Sequence, residues 1–74
     1  MMLSGKKQAL IQQVQAVSIH GTIYYDVSYT HEGEERIRAV RLGPEAVYEG
    51  IQAGDQVTVS YMMGVATGIE PANG

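Results

Sequence analysis

Residues 22–30 read Thr22-Ile23-Tyr24-Tyr25-Asp26-Val27-Ser28-Tyr29-Thr30. Ile23, Tyr25, Val27 and Tyr29 share one parity; Thr22, Tyr24, Asp26, Ser28 and Thr30 share the other. Side chains of an extended chain point alternately to two faces, so this spacing predicts a strand with one apolar and one polar side. Its β-branched and aromatic residues suit a pleated surface. The same period returns at 56–63, with Val57, Val59, Tyr61 and Met63 on the apolar parity and Gln56, Thr58, Ser60 and Met62 opposite. Gly54-Asp55 supplies a turn into that second strand.

Working outward, residues 9–19 predict an earlier strand with a change of phase. Leu10, Val14 and Ala16 share a parity that Val17 and Ile19 break. One inserted residue flips every later side chain, so a β-bulge is expected there. Residues 35–42 show the same break, Ile37 and Ala39 against Val40 and Leu42. His20-Gly21 makes a tight link between the first two strands. For the tip His31-Glu32-Gly33-Glu34, a three-residue loop over 32–34 pairs Tyr29 with Ile37 and Val27 with Ala39. It sets Thr30 beside Arg36 and Ser28 beside Arg38 on the outside. A two-residue loop would mix Arg36 and Arg38 into the apolar face, so face matching selects the longer one.

Between the third and fourth strands, Pro44 suits a first helical position, Glu45 the positive helix end and Gly50 a stop. This predicts one short helix, α or 3-10, within 43–51, with Val47 and Ile51 facing the core. A short last strand covers about 65–70. Five strands with a helical piece between the third and fourth match an OB-like Greek-key barrel, with an SH3-like barrel as the alternative. The expected core is Ile23, Tyr25, Val27, Tyr29, Ile37, Ala39, Val57, Val59 and Tyr61. The chain divides into a flexible N-terminal segment (1–8), one barrel domain (9–70) and a flexible tail (71–74).

Gly54-Asp55-Gln56-Val57-Thr58-Val59-Ser60-Tyr61 resembles a recurring stretch of small bacterial OB-like β-barrel domains of uncharacterised function. In these a G-D-x-V-x-V-x-Y pattern opens a barrel strand. The resemblance covers roughly the last third of the chain and implies a barrel, not an activity.

Composition narrows the function classes. The 74 residues include eight acidic and five basic side chains, for a net charge of −3. Without cysteine, disulfides and thiolate zinc sites are excluded. No apolar run exceeds three residues, as in Ala9-Leu10-Ile11, so no membrane-spanning helix is expected. Lys6-Lys7 before that run is not followed by a signal-peptide pattern. A cytoplasmic location is the default, or a periplasmic one if a signal peptide has been removed.

Catalytic candidates are few. His20 and His31 fall at strand ends in no recognisable motif and read as solvated turn residues. Glu34-Glu35 reads as a solvated charge pair that discourages edge pairing. Phosphate-binding glycine loops are absent. No enzyme activity and no cofactor are therefore expected. Met62 and Met63 with a histidine could hold Cu(I) or Ag(I). A periplasmic copper and silver chaperone family does this on an OB-like barrel, but with methionines on one face and a tryptophan. Here the methionines are adjacent and tryptophan is absent. Single-stranded nucleic-acid binding on the strand 2/3 face is a further alternative, opposed by Asp26 and the tip acids. The expectation is a non-catalytic module binding a protein or peptide, or a second copy of itself. Its expected contact residues are Tyr24, Ser28, Arg36 and Arg38, on the outward face of the second and third strands.

Overall fold

The computed structural model describes residues 4–72. Five antiparallel strands form one sheet: β1 (Ser4–Ile19), β2 (Thr22–His31), β3 (Ile37–Leu42), β4 (Gln56–Met62) and β5 (Val65–Pro71), in spatial order β3-β2-β1-β4-β5. The sheet is not closed, since β3 and β5 each lack a partner strand on one side. No helix among the described residues is long and apolar enough to cross a membrane.

The first strand is much longer than its apolar pattern. Residues 4–8, expected in a flexible segment, pair with β4 from Ser4↔Met62 to Gln8↔Thr58. Lys6, Lys7 and Gln8 carry no strand signal; pairing with the β4 backbone recruits them into the ladder. Residues 1–3, and 73–74 of the expected tail, lie outside the described residues. Ala72, also in that tail, donates its backbone N–H to Gln56 O at 2.9 Å.

Two hairpins turn in two residues. Ile19 faces Thr22 across His20 (φ 50°) and Gly21 (φ 81°), and Met62 faces Val65 across Met63 (φ 53°) and Gly64 (φ 82°). Positive φ at both central positions is the twist-compatible hairpin geometry that glycine permits. Met63 is therefore a turn residue, 73% exposed, and not the inward strand residue that parity predicts.

The expected bulge in β1 is present, but earlier than the phase change suggests. The register slips between Ile11 and Gln13, so Ala9, Ile11 and Val14 all face the core. In β3 no bulge occurs. The β2–β3 register is one residue longer than face matching predicts: Val27 opposes Val40, Ser28 opposes Ala39 and Tyr29 opposes Arg38. The slip reverses both faces of β3. Val40 and Leu42 turn inward, and Ile37 and Ala39, expected in the core, are exposed. Val40 and Leu42, farther from the tip and packed on the core, outweigh Ile37 beside it, and Arg38 comes inward with them.

The short helix expected after β3 is of the 3-10 form, a single turn over Pro44–Ala46. Gly43 supplies no side-chain cap, and so short a stretch cannot offset helix nucleation. The chain is held by other means. Tyr48 donates its hydroxyl to Asp55 at 2.5 Å, and Gln52 N–H donates to the same oxygen at 3.2 Å. Val47, Tyr48 and Ile51 pack against the core as partly buried residues.

Ala9, Ile11, Val27, Tyr29, Leu42, Val57, Val59 and Ile69 form the buried cluster. Tyr25 and Tyr61, expected in it, are half-buried beside it; Ile23, near the hairpin end, is 43% exposed. Val59 is fully buried, whereas Thr58 lies on the other face with its hydroxyl bonded to Gln8. Val59→Ala is expected to cost about 1–3 kcal/mol in urea denaturation, and Thr58→Ala well under ~1 kcal/mol. Equal losses would contradict this assignment of faces.

Candidate functional site

The inward parity of β2 runs on past Val27 and Tyr29 to His31. His31 is consequently buried, 8% exposed, and not the solvated turn residue its position suggests. It lies opposite Ala9 of β1, and Tyr29 lies opposite Ile11. Curling of the sheet around β1 brings β4 over the same place, with Tyr61 on the inward parity of Val57 and Val59. Three polar rings thus meet at one end of an apolar core.

Two hydrogen bonds link them through the Tyr61 hydroxyl. The Tyr29 and Tyr61 hydroxyls are 2.8 Å apart, His31 Nε2 is 2.7 Å from the Tyr61 hydroxyl, and His31 Nδ1 is 3.5 Å from Glu34 Oε1. Either hydroxyl can donate in the Tyr29–Tyr61 bond, and the direction of the His31–Tyr61 bond follows the His31 tautomer. The His31 and Tyr61 rings meet edge to face, with centroids 5.7 Å apart. Glu34 also accepts from Arg38 Nη2 at 3.2 Å.

Burial and neighbouring charge shape the titration. Desolvation pushes the His31 pKa below its ordinary 6.5; Arg38 and Lys7 lower it further, and Glu34 opposes the shift. Burial, followed by the bond to Tyr61, raises the Tyr29 phenol. The bond from Arg38 lowers the Glu34 carboxyl. The folded protein holds the His31 proton less tightly than the unfolded chain, so His31 contributes stability above pH 6.5. That contribution is expected to fall as the pH drops from 6.5 through the lowered native value. Glu34 and Asp26 are held below their ordinary 4.5 and 3.8, so their losses come at lower pH. Urea midpoints across this range should decline, and His31→Gln should flatten the decline. An unchanged slope in that variant would contradict the assignment.

Beside this cluster lies a cleft of about 430 Å³ between the facing edges of β3 and β5. Tyr29 and Tyr61 form part of its wall, Arg36 and Arg38 enter it from the β3 side, and Ile37 and Val65 stand at its rim. Ile37 is 64% exposed and Val65 62%. No acidic residue lines the cleft. Arg38 Nε is buried without an acceptor.

The four sequence-predicted contact residues do not share one face. Tyr24 and Ser28 lie on the outer side of β2, opposite Val17 and Ala39 respectively. Arg38 lies opposite Tyr29 on the inner side, and Arg36 reaches the cleft from the loop before β3. The one-residue slip separates Ser28 from Arg38. The outer charge on β3 is instead Arg41, which donates to both oxygens of Asp26 at 2.7 and 3.0 Å. Met62 and Met63 lie at the opposite end of β1 from His20, and both His31 nitrogens already face protein groups. Groups of three or more His, Cys, Asp or Glu placed to hold a metal are absent among the described residues. Sequence reasoning missed the Tyr29–Tyr61–His31 cluster. Its signal was the continuation of the inward parity through His31. No family model matches the chain, and no curated protein or solved structure matches it either.

Proposed function

We propose that this protein is a non-catalytic binding module on an OB-like, partly open barrel, and that it takes up an extended peptide segment in the β3–β5 cleft. The strand order, with β1 shared between two halves and a 3-10 turn between β3 and β4, supports the OB-like reading. The observation that carries the binding reading is the pair of unpartnered edges facing one cleft. Each edge offers backbone N–H and C=O groups to an added strand. The cleft volume falls within the roughly 300–1,000 Å³ usual for ligand pockets.

The test is selection of displayed random peptides on the intact protein, followed by shift mapping of the winners on isotope-labelled protein. Perturbed amides are expected in Ile37–Leu42 and at Val65 and Ala66. A footprint around Tyr24 and Ser28 on the outer face, or selection that yields no binder, would overturn the reading.

A further inference from the structure

We infer that the segment held in the β3–β5 cleft carries a carboxylate, an Asp or Glu side chain between small or β-branched apolar residues, and that Arg38 is its anchor. This rests on the binding-module reading above and adds the chemistry of the partner. Charge is the first support. In a protein of net charge −3, two of five basic residues converge on a cleft whose lining holds no acid. An acidic side chain entering there meets Arg36 and Arg38 between the two sheet edges.

Arg38 is the second support. A guanidinium is a rigid fork of N–H donors suited to a carboxylate. Here one arm is bonded to Glu34 and the buried Nε has no acceptor. A buried donor left unpaired is costly, so a ligand that draws the guanidinium onto its own carboxylate relieves a penalty already present. Glu34 holds the position meanwhile. It is 46% exposed, on the loop before β3, and an exposed ion pair is readily exchanged.

The walls define the rest of the segment. Tyr29 is only 2% exposed, so its ring offers no stacking platform for a base. The exposed rim of Ile37 and Val65 favours apolar flanking side chains. A polyanion would also meet the acids Glu32, Glu34 and Glu35 at the tip, whereas a single carboxylate can pass between them. A peptide is thereby favoured over nucleic acid.

The peptides selected above, and a short oligothymidylate, serve as probes. Winners that map to the cleft should carry an acidic residue. Its replacement by the matching amide should weaken binding about tenfold or more, the usual weight of a charge-assisted hydrogen bond. Arg38→Gln should weaken it similarly, with little further loss when both changes are combined. Glu34→Gln, which removes the competing carboxylate, should tighten binding by up to about fivefold. The amide swap and Glu34→Gln keep the test decisive if Arg38→Gln fails to fold. Winners that occupy the cleft but ignore both of these changes would overturn the carboxylate inference and leave the cleft as a binding site. Winners outside the cleft, or none, would overturn both readings. Tighter occupation of the cleft by the oligonucleotide than by any peptide would overturn the inference in favour of a phosphate ligand.

Discussion

Ile11→Ala is expected to lower the unfolding free energy by about 2–5 kcal/mol, the range for truncating a large, fully buried aliphatic side chain. Ile11 is 1% exposed and packs where the sheet turns from β4 to β2. Its backbone also closes the loop before β4: its N–H donates to Asp55 O, and its carbonyl accepts from Gly54 N–H, each at 2.9 Å. The side chain thus fills the core where the backbone ties both halves of the sheet together, leaving little freedom to collapse into the vacated space. A domain of this size has a total stability on the order of 5 kcal/mol, so the variant should sit near its unfolding transition in water. Leu10→Ala is the control, since Leu10 is 41% exposed on the other face. Urea titrations of the two variants should differ several-fold in loss. Comparable losses would mean that the bulge after Ile11 does not set the faces of β1 as described.

Tyr61→Phe is expected to be the most damaging loss of a single polar atom. The Tyr61 hydroxyl is where Tyr29 and His31 meet, at 2.8 and 2.7 Å. Its removal leaves the Tyr29 hydroxyl and His31 Nε2 without that partner beside the core, each at about 1–3 kcal/mol. Tyr29→Phe removes one bond of the chain and leaves the His31–Tyr61 bond intact, so its loss should be smaller. Tyr25→Phe serves as a reference at a half-buried tyrosine outside the cluster, expected within ~0.5 kcal/mol of the parent. Thermal and urea unfolding should rank the variants in that order. If Tyr61→Phe matches Tyr25→Phe, water replaces the hydroxyl freely and the cluster contributes nothing to the fold.

Most of the secondary structure was legible in the residues because its causes are local. Period two in 22–30 and 56–63 requires a strand whatever surrounds it, and both strands lie where that period runs. His20-Gly21 and Gly54 stand at turns because glycine tolerates the positive φ needed there, 81° at Gly21 and 92° at Gly54. The buried set Val27, Tyr29, Val57 and Val59 follows from parity alone.

What parity leaves open is which of two competing faces wins, and the tertiary structure decided that. The third strand carries Ile37 and Ala39 on one parity and Val40 and Leu42 on the other, so its sequence is compatible with either orientation. Leu42, across from Tyr25, and Val40, across from Val27, pack against the core and turn Arg38 into the cleft. The candidate contact residues moved with that choice: a one-residue register slip exchanges the two faces of a strand and carries each charge to the other side. The first strand is the converse case. Residues 4–8 show no apolar period, and they are a strand because β4 presents an unpaired edge that their backbone satisfies. His31 changes character in the same way, from a polar residue beside a glycine turn to a buried ring, once β4 brings Tyr61 within hydrogen-bonding reach. Turns and alternation are local properties of the chain. Register, edge pairing and the company of a buried polar group arise only when distant strands meet.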